Sequence, residues 1–244
     1  MKSTRSDLVY DYVVKLIFNG NLLPGERILE HEIAAKLNVS KTPVREALNK
    51  LASDHLVESK GRLGSYVAKI PDANVVALYE ARLVVEPPLA QWAAERGDSS
   101  EIAVLEQCFA LQQEAFRNGD NGMFLEQDRH FHEFVASMAR NPTMLQARRS
   151  ISNQIALMQA ISFLGRQRST SNAVNEHEGI LRAIQQRDGE RAFEAMRIHI
   201  DNLLQEKKMM VARRVEELAS DLHRDRQALG SVAGAREQQF EMTH

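Results

Sequence analysis

The sequence predicts a mainly α-helical protein in two parts. A small N-terminal segment carries three short helices and two strand-like runs, and a longer C-terminal segment is helical throughout. Three observations carry this. Gly and Pro are scarce, 12 and 6 in 244 residues, and aromatic residues are 6%, while Ala, Leu, Glu, Gln and Arg, the better helix formers, are abundant. Apolar residues recur at three- and four-residue spacing over most of the chain. The exceptions are HLVES (55–59) and SYVAKI (65–70), rich in Val, Tyr and Ile around the Gly-containing KGRLG.

The N-terminal elements follow in order. Leu8, Val9, Tyr12, Val13, Leu16 and Ile17 predict a helix over 6–19, ended by Asn19-Gly20. Leu23-Pro24-Gly25 is a turn. EHEIAAKL (30–37) is a short helix, and Asn38-Val39-Ser40 connects it to the next. Ser40 or Thr42 can cap that helix, Pro43 suits its first turn, and Val44, Leu48 and Leu51 form its apolar side.

The pattern changes near Pro71. Six helices are expected after it, at about 72–96, 99–118, 121–140, 143–164, 172–187 and 189–222, separated by Gly97-Asp98, Asn118-Gly119-Asp120, Asn141-Pro142, Gly165 to Ser171, and Asp188-Gly189. The expected organisation is a nucleic-acid-binding segment at 1–70, a helical metal-binding, effector-binding and dimerisation segment at 71–226, and a flexible tail at 227–244, where apolar residues thin out.

Composition narrows the function classes. An apolar content of 43% is enough for a core. One cysteine, Cys108, allows no intrachain disulfide, so a reducing, cytoplasmic setting is expected. No run of 18 apolar residues is present and the N-terminus is too polar for a secretory signal, which excludes a membrane span. The net charge of -2 is unevenly spread. Residues 1–70 hold 11 Lys and Arg against 8 Asp and Glu, whereas residues 71–244 hold 20 against 25. A basic segment joined to an acidic one points the first toward nucleic acid.

Helix, tight turn, second helix and β-hairpin is the plan of a winged helix-turn-helix, in which the N-terminal residues of the second helix enter the major groove. Here those residues are Ser40, Lys41, Thr42, Val44, Arg45 and Asn49. Lys41, Arg45 and Asn49 are spaced by four and share one face. A guanidinium can bond both O6 and N7 of guanine, which discriminates by about 1–3 kcal/mol. Lys60 and Arg62 stand at the wing tip, where a cation reaches phosphate or the minor groove. PGERILEHEIAAKLNVSKTPVREALNKLASDHLVES, with L-x-V-S-x-T-P-V-R-E-A-L inside it, resembles the N-terminal domain of the GntR family of bacterial transcription regulators, and GSYVAKI resembles the wing that follows. The resemblance covers about residues 6–70. It implies operator contacts at Lys41 and Arg45, with Gly64 at the wing. Lys41 stands where the family more often has arginine, and a point charge lacks the guanidinium fork, so phosphate contact is its expected role. His31 is assigned a phosphate contact.

The C-terminal segment carries a second constellation. Asp128 and His132 are four apart on one helix face and could share a cation, or form a plain Asp–His hydrogen bond. His177 lies 11 residues before Asp188 and His199 lies 11 after it. At 1.5 Å per residue both stand about 16 Å from the turn, so an antiparallel pair of helices sets them at one height. Each could also be a core imidazole with a backbone partner. His130 is expected at the surface. Arg82, among Leu78, Leu83, Val85 and Leu89, needs an anionic partner. The candidates are an effector carboxylate and Glu86, four residues on. Pro87-Pro88 should kink that helix. Asn153 and Gln154 are further pocket candidates, and Arg148 and Arg149 could be surface charge.

R-x-x-x-E at Arg82 and Glu86, D-x-x-x-H at Asp128 and His132, then His177 and His199, resemble the FCD effector domain of the FadR subfamily of GntR regulators, and the six-helix count resembles its VanR-type branch. This resemblance covers about residues 72–210. It implies Asp128, His132, His177 and His199 as ligands of a divalent transition metal, Zn, Ni or Mn, with a small carboxylate completing the shell.

The resulting expectation is a regulator and not an enzyme: a homodimer that binds a palindromic operator on double-stranded DNA as a repressor, with metal and small organic acid controlling DNA affinity. Three histidines and a carboxylate can also activate water, so a metal-dependent hydrolytic enzyme is one alternative. A regulator sensing the metal itself, or an acyl-CoA, is another.

Overall fold

The computed structural model describes residues 4–18, 20–69, 72–162 and 171–241. Asn19, Pro71 and most of the break expected at 165–171 lie outside them. The described elements run α1 (Arg5–Phe18), β1 (Arg27–Ile28), α2 (Glu30–Leu37), α3 (Lys41–Ser53), β2 (Val57–Ser59), a 3-10 turn (Gly61–Leu63), β3 (Ser65–Val67), α4 (Asp72–Arg96), α5 (Ser99–Arg117), α6 (Asn121–Met138), α7 (Pro142–Ser162), α8 (Ser171–Gln185) and α9 (Gly189–Glu241).

The first seven elements enclose one core. Val9, Val13 and Ile17 of α1 pack with Ile33, Val44, Leu48, Leu51 and Val67. Ser40 stands at the N-cap of α3 in extended conformation, with no side-chain cap hydrogen bond. The wing is an antiparallel hairpin registering Val57 with Val67 and Ser59 with Ser65. A third strand, β1, pairs with β3 on its other side. Two residues are too few for a period-2 pattern, which is why spacing did not announce it. Gly25 before it has φ +83° and donates its N–H to Val67 O at 2.8 Å, so the turn demands a residue free of Cβ strain.

The remaining helices form a bundle in which α4 and α8 both lie along α9, and α5 lies along α6. Asp98 caps α5 with a full capping box to Glu101. α4 runs as helix through both Pro87 and Pro88. The spacing ends the last helix near 222, but α9 continues to Glu241. Residues 223–241 contain no proline and many Ala, Arg, Glu and Gln, so backbone propensity continues the helix after apolar periodicity stops. Most of the stretch expected as a tail is therefore helical backbone. One residue of the bundle, Leu157 of α7, is fully buried within the N-terminal core.

Candidate metal centre and nucleic-acid interface

α6, α8 and α9 converge on three histidines. His132, His177 and His199 are 2%, 0% and 0% exposed. Their Nε2 atoms form a triangle with every edge 3.2 Å. The turn between α8 and α9 thus brings His177 and His199 face to face as the count from Asp188 requires. His177 stacks on Phe131, ring centroids 4.5 Å apart.

The outer nitrogens fix the tautomers. His177 Nδ1 is 2.8 Å from Gln112 Oε1, and His199 Nδ1 is 2.7 Å from Glu176 Oε2. Both partners are acceptor oxygens, so each Nδ1 carries the hydrogen. His132 is fixed from the other side, since the Arg82 guanidinium, a donor only, lies 3.3 Å from its Nε2. His132 Nδ1 is 2.7 Å from Glu86 Oε2. Three Nε2 lone pairs therefore face one another in a buried space. Burial, then His199 and His132, push the pKa of His177 well below its ordinary 6.5, so His177 resists taking a proton there. A metal fits instead. Metal–nitrogen bonds of about 2.0–2.1 Å set ligand nitrogens about 3.3 Å apart in a tetrahedron and about 2.9 Å apart in an octahedron, and the observed edge lies between.

Asp128 stands beside the triangle, its Oδ1 3.8 Å from His177 Nε2 and 3.4 Å from Gln112 Nε2. Gln112 therefore bridges His177 and Asp128, holding both. His130 is not part of the cluster; its Nε2 lies 3.3 Å from Arg129.

Arg82 and Glu86 are 6% and 2% exposed, so their pair is buried and not the surface pair that spacing alone allows. Burial by itself would raise the pKa of Glu86, but Arg82 and His132 hold it well below the usual carboxylate range. Arg148, left open as surface charge, is 2% exposed. Its Nη1 bonds Glu133 at 2.6 Å, and its Nε, 4.0 Å from Glu86, makes no hydrogen bond. Burial lowers its pKa despite both carboxylates.

A cavity of about 430 Å³ opens beside the triad between α8 and α9, with Asp128, Glu176, His199, Asn202 and Glu206 among its walls. Asn153 and Gln154 are not among the residues lining this cavity. The inward face of α7 runs through Arg148, Ile151 and Ile155, and Gln154 instead bonds Ser150 O of its own helix. Spacing also missed Gln112, Glu176 and the contact of Glu86 with His132.

In the N-terminal part, Lys41, Thr42, Arg45 and Asn49 are exposed along α3, while Val44 and Leu48 are buried behind them. Arg62 is exposed at the wing tip. Lys41, Gly64 and His31 surround one recess with Arg27, a cation that spacing did not single out. Arg45 is not unpartnered; its Nε donates to Glu30 Oε2 at 3.0 Å, leaving the far edge of the guanidinium outward.

Comparison with known proteins places the two parts. The profile of bacterial regulatory proteins of the gntR family matches residues 5–67, and the FCD domain matches residues 77–202, more than half of the chain. The chain belongs to the GntR family of transcription regulators, with an FCD domain. It is 35% identical to the Nta operon transcriptional regulator of Aminobacter aminovorans over 75% of this chain and 86% of that protein. It is 28% identical to the galactonate operon transcriptional repressor of Escherichia coli K12 over 80% and 93%. Both are named as regulators of operons. Among solved structures, E. coli McbR/YncC matches with TM-score 0.74 at 17% identity, covering 88% of this chain and 100% of that one, a likeness of fold. A GntR regulator from Rhodococcus sp. RHA1 matches with TM-score 0.69 at 25% identity, over 83% and 97%. As a GntR regulator the chain binds DNA. No described helix is long and apolar enough to cross a membrane.

Proposed function

We propose that this GntR regulator is an operon repressor that binds a pseudo-palindromic operator as a homodimer, one half-site per subunit, under control of a divalent transition metal and a small carboxylate. Residues 1–70 read the DNA, and residues from 71 to at least 226 hold metal, effector and dimer contacts. His132, His177, His199 and Asp128 hold the metal, which supplies a Lewis-acidic site for a carboxylate oxygen. Arg82, already paired with Glu86, receives the same carboxylate, since its guanidinium lies 3.3 Å from His132 Nε2 beside the metal position. Lys41, His31 and Arg62 contact phosphate, Arg45 and Asn49 read bases, and Thr42 and Gly64 lie against the backbone. Relatives named for galactonate and D-xylose utilisation operons as repressors support the operon-repressor reading. For effector to release DNA, it must bind the DNA-incompetent arrangement more tightly.

The single observation that carries the metal-dependent reading is the buried triangle of Nε2 atoms with 3.2 Å edges. Elemental mass spectrometry on untagged protein, before and after chelation and reloading, tests it. The expected result is about one transition metal per chain, lost in a His177→Ala, His199→Ala double variant. No metal after reloading with Zn²⁺, Ni²⁺ or Mn²⁺, or full metal in the double variant, overturns it.

A further inference from the structure

Between the start of α3 and the wing lies a recess of about 170 Å³ whose walls carry an excess of positive charge. β1 sets Arg27 there, the start of α2 sets Glu30 and His31, the start of α3 sets Lys41, and the wing sets Gly64. Arg27 is exposed and registers with Tyr66 across the sheet. Its guanidinium lies against Gly64: a Cβ at position 64 would stand 3.4 Å from Nε and 3.5 Å from Nη2. The bare Cα of glycine is what leaves the guanidinium this close to the wing.

Other cations of the N-terminal part are committed to carboxylates. Arg45 lies 3.0 Å from Glu30, Lys60 3.5 Å from Glu58, and Lys50 3.3 Å from Asp7. Among the described residues, no carboxylate stands within ion-pair distance of Arg27 or Lys41. Glu30 is the one carboxylate among the described lining residues, and it is bonded to Arg45. Arg27, Lys41 and Arg45 against Glu30 leave a net charge of +2, three minus one, around the recess. Like charges gathered on one concave wall focus a field that draws an anion.

We infer that Arg27 is a further DNA-contacting residue, and that the recess seats one backbone phosphate of the operator between the reading helix and the wing. This rests on the reading above, in which Lys41 and His31 contact phosphate while Arg45 and Asn49 read bases. A helix in the major groove and a wing beside it stand on either side of a phosphate chain, and the recess lies between those two elements. The guanidinium fork offers two parallel N–H donors to phosphate oxygens, and Lys41 adds a point charge. Such a contact carries no base information, so its weight falls equally on every sequence.

The test uses the full-length protein, the duplex it selects from a random-sequence library, and an unrelated duplex, titrated by fluorescence anisotropy from about 50 to 200 mM KCl. Arg27→Gln should flatten the plot of log affinity against log salt by about 0.9 for each subunit bound, and weaken both duplexes about eightfold per subunit at about 0.1 M salt. Arg27→Lys keeps the charge and gives up the fork, so it should restore the slope and only part of the affinity. Neutral methylphosphonate replaces each phosphate of the selected duplex in turn; at one linkage per half-site it should cost Arg27→Gln less than it costs the unaltered protein. Weaker affinity with an unchanged slope makes Arg27 a brace for the wing and overturns the inference. Discrimination lost at a single base pair, or equal penalties at every linkage, also overturns it. Lys41→Gln separates the two levels: a slope moved by Lys41→Gln and not by Arg27→Gln overturns the inference alone, and slopes moved by neither overturn the phosphate contacts it rests on.

Discussion

Replacing Arg148 by methionine should make the protein more stable. Arg148 is 2% exposed and its pKa is lowered, chiefly by burial, so its charge is incompletely compensated where it stands. Removing the guanidinium orphans no carboxylate. Glu133, with its side chain 28% exposed, keeps Arg149 at 2.5 Å, and Glu86 keeps Arg82 and His132. The loss is one hydrogen-bonded pair to a partly solvated partner, about 0.5–1 kcal/mol. The gain is relief of a desolvation cost of several kcal/mol, part of which those carboxylates already offset. Methionine retains the apolar stem and its packing. The net is about 1–2 kcal/mol of stabilisation, which for a chain of this length raises Tm by about 2–8 °C. Differential scanning calorimetry on chelated protein measures it, with Arg148→Lys as a control that keeps a buried cation and gains nothing. A fall in Tm of 3 °C or more for Arg148→Met would refute the reasoning, because it would mean that Glu86 and Glu133 fully compensate the charge.

Three other predictions concern the two sites. Arg45→Ala should weaken operator binding by about 1–3 kcal/mol and relax discrimination at one base pair, with an unchanged thermal melt; equal affinity at fixed salt excludes base contact by Arg45. Glu176→Ala should lower metal affinity about 10- to 100-fold by freeing the His199 ring, measured by competition with a chelator; unchanged affinity removes Glu176 from the centre. Because His177 has its pKa depressed in the folded chain, the unfolded chain binds that proton more readily. Stability of the chelated protein should therefore fall as pH drops below about 6.5. His177→Phe, stacked on Phe131, should flatten the slope between pH 6.5 and 5.5, and an identical slope would exclude His177 as its source.

How much was legible depended on the range of the interaction. The meeting of His177 with His199 needs only a constant helical rise and one short turn at Asp188-Gly189, both local, and distance along the chain converts directly into height. The pairing of Asp128 with His132 is equally local. Glu86, Gln112 and Glu176 serve histidines on other helices, 46, 65 and 23 residues away, and no spacing rule couples them. A weaker signal was present. Gln112 interrupts the buried stripe Leu105, Phe109, Ala115, and Glu86 sits in line with Tyr79, Arg82, Leu89 and Ala93. A polar residue on an apolar stripe needs a partner, though the stripe does not name it. Arg148 carries the same signal, masked by Arg149 beside it, an ordinary exposed cation. Asn153 and Gln154 stand out by residue type, but the face of α7 that turns inward runs through Arg148, Ile151 and Ile155.

Leu157 gives the reading head a fixed seat. A residue of α7 completes the hydrophobic core in which Val9, Val13 and Leu51 lie, so the DNA-reading part is plugged into the bundle and does not swing on a tether. In the homodimer proposed above, two such heads would behave as a caliper of set opening. Each base pair added between operator halves moves the second half by about 3.4 Å and turns it by about 35°, and a seated head cannot follow both. The spacer length of the operator thereby becomes a recorded dimension of the protein, and loosening the seat at Leu157 would be read out as tolerance for operators one base pair too long or too short.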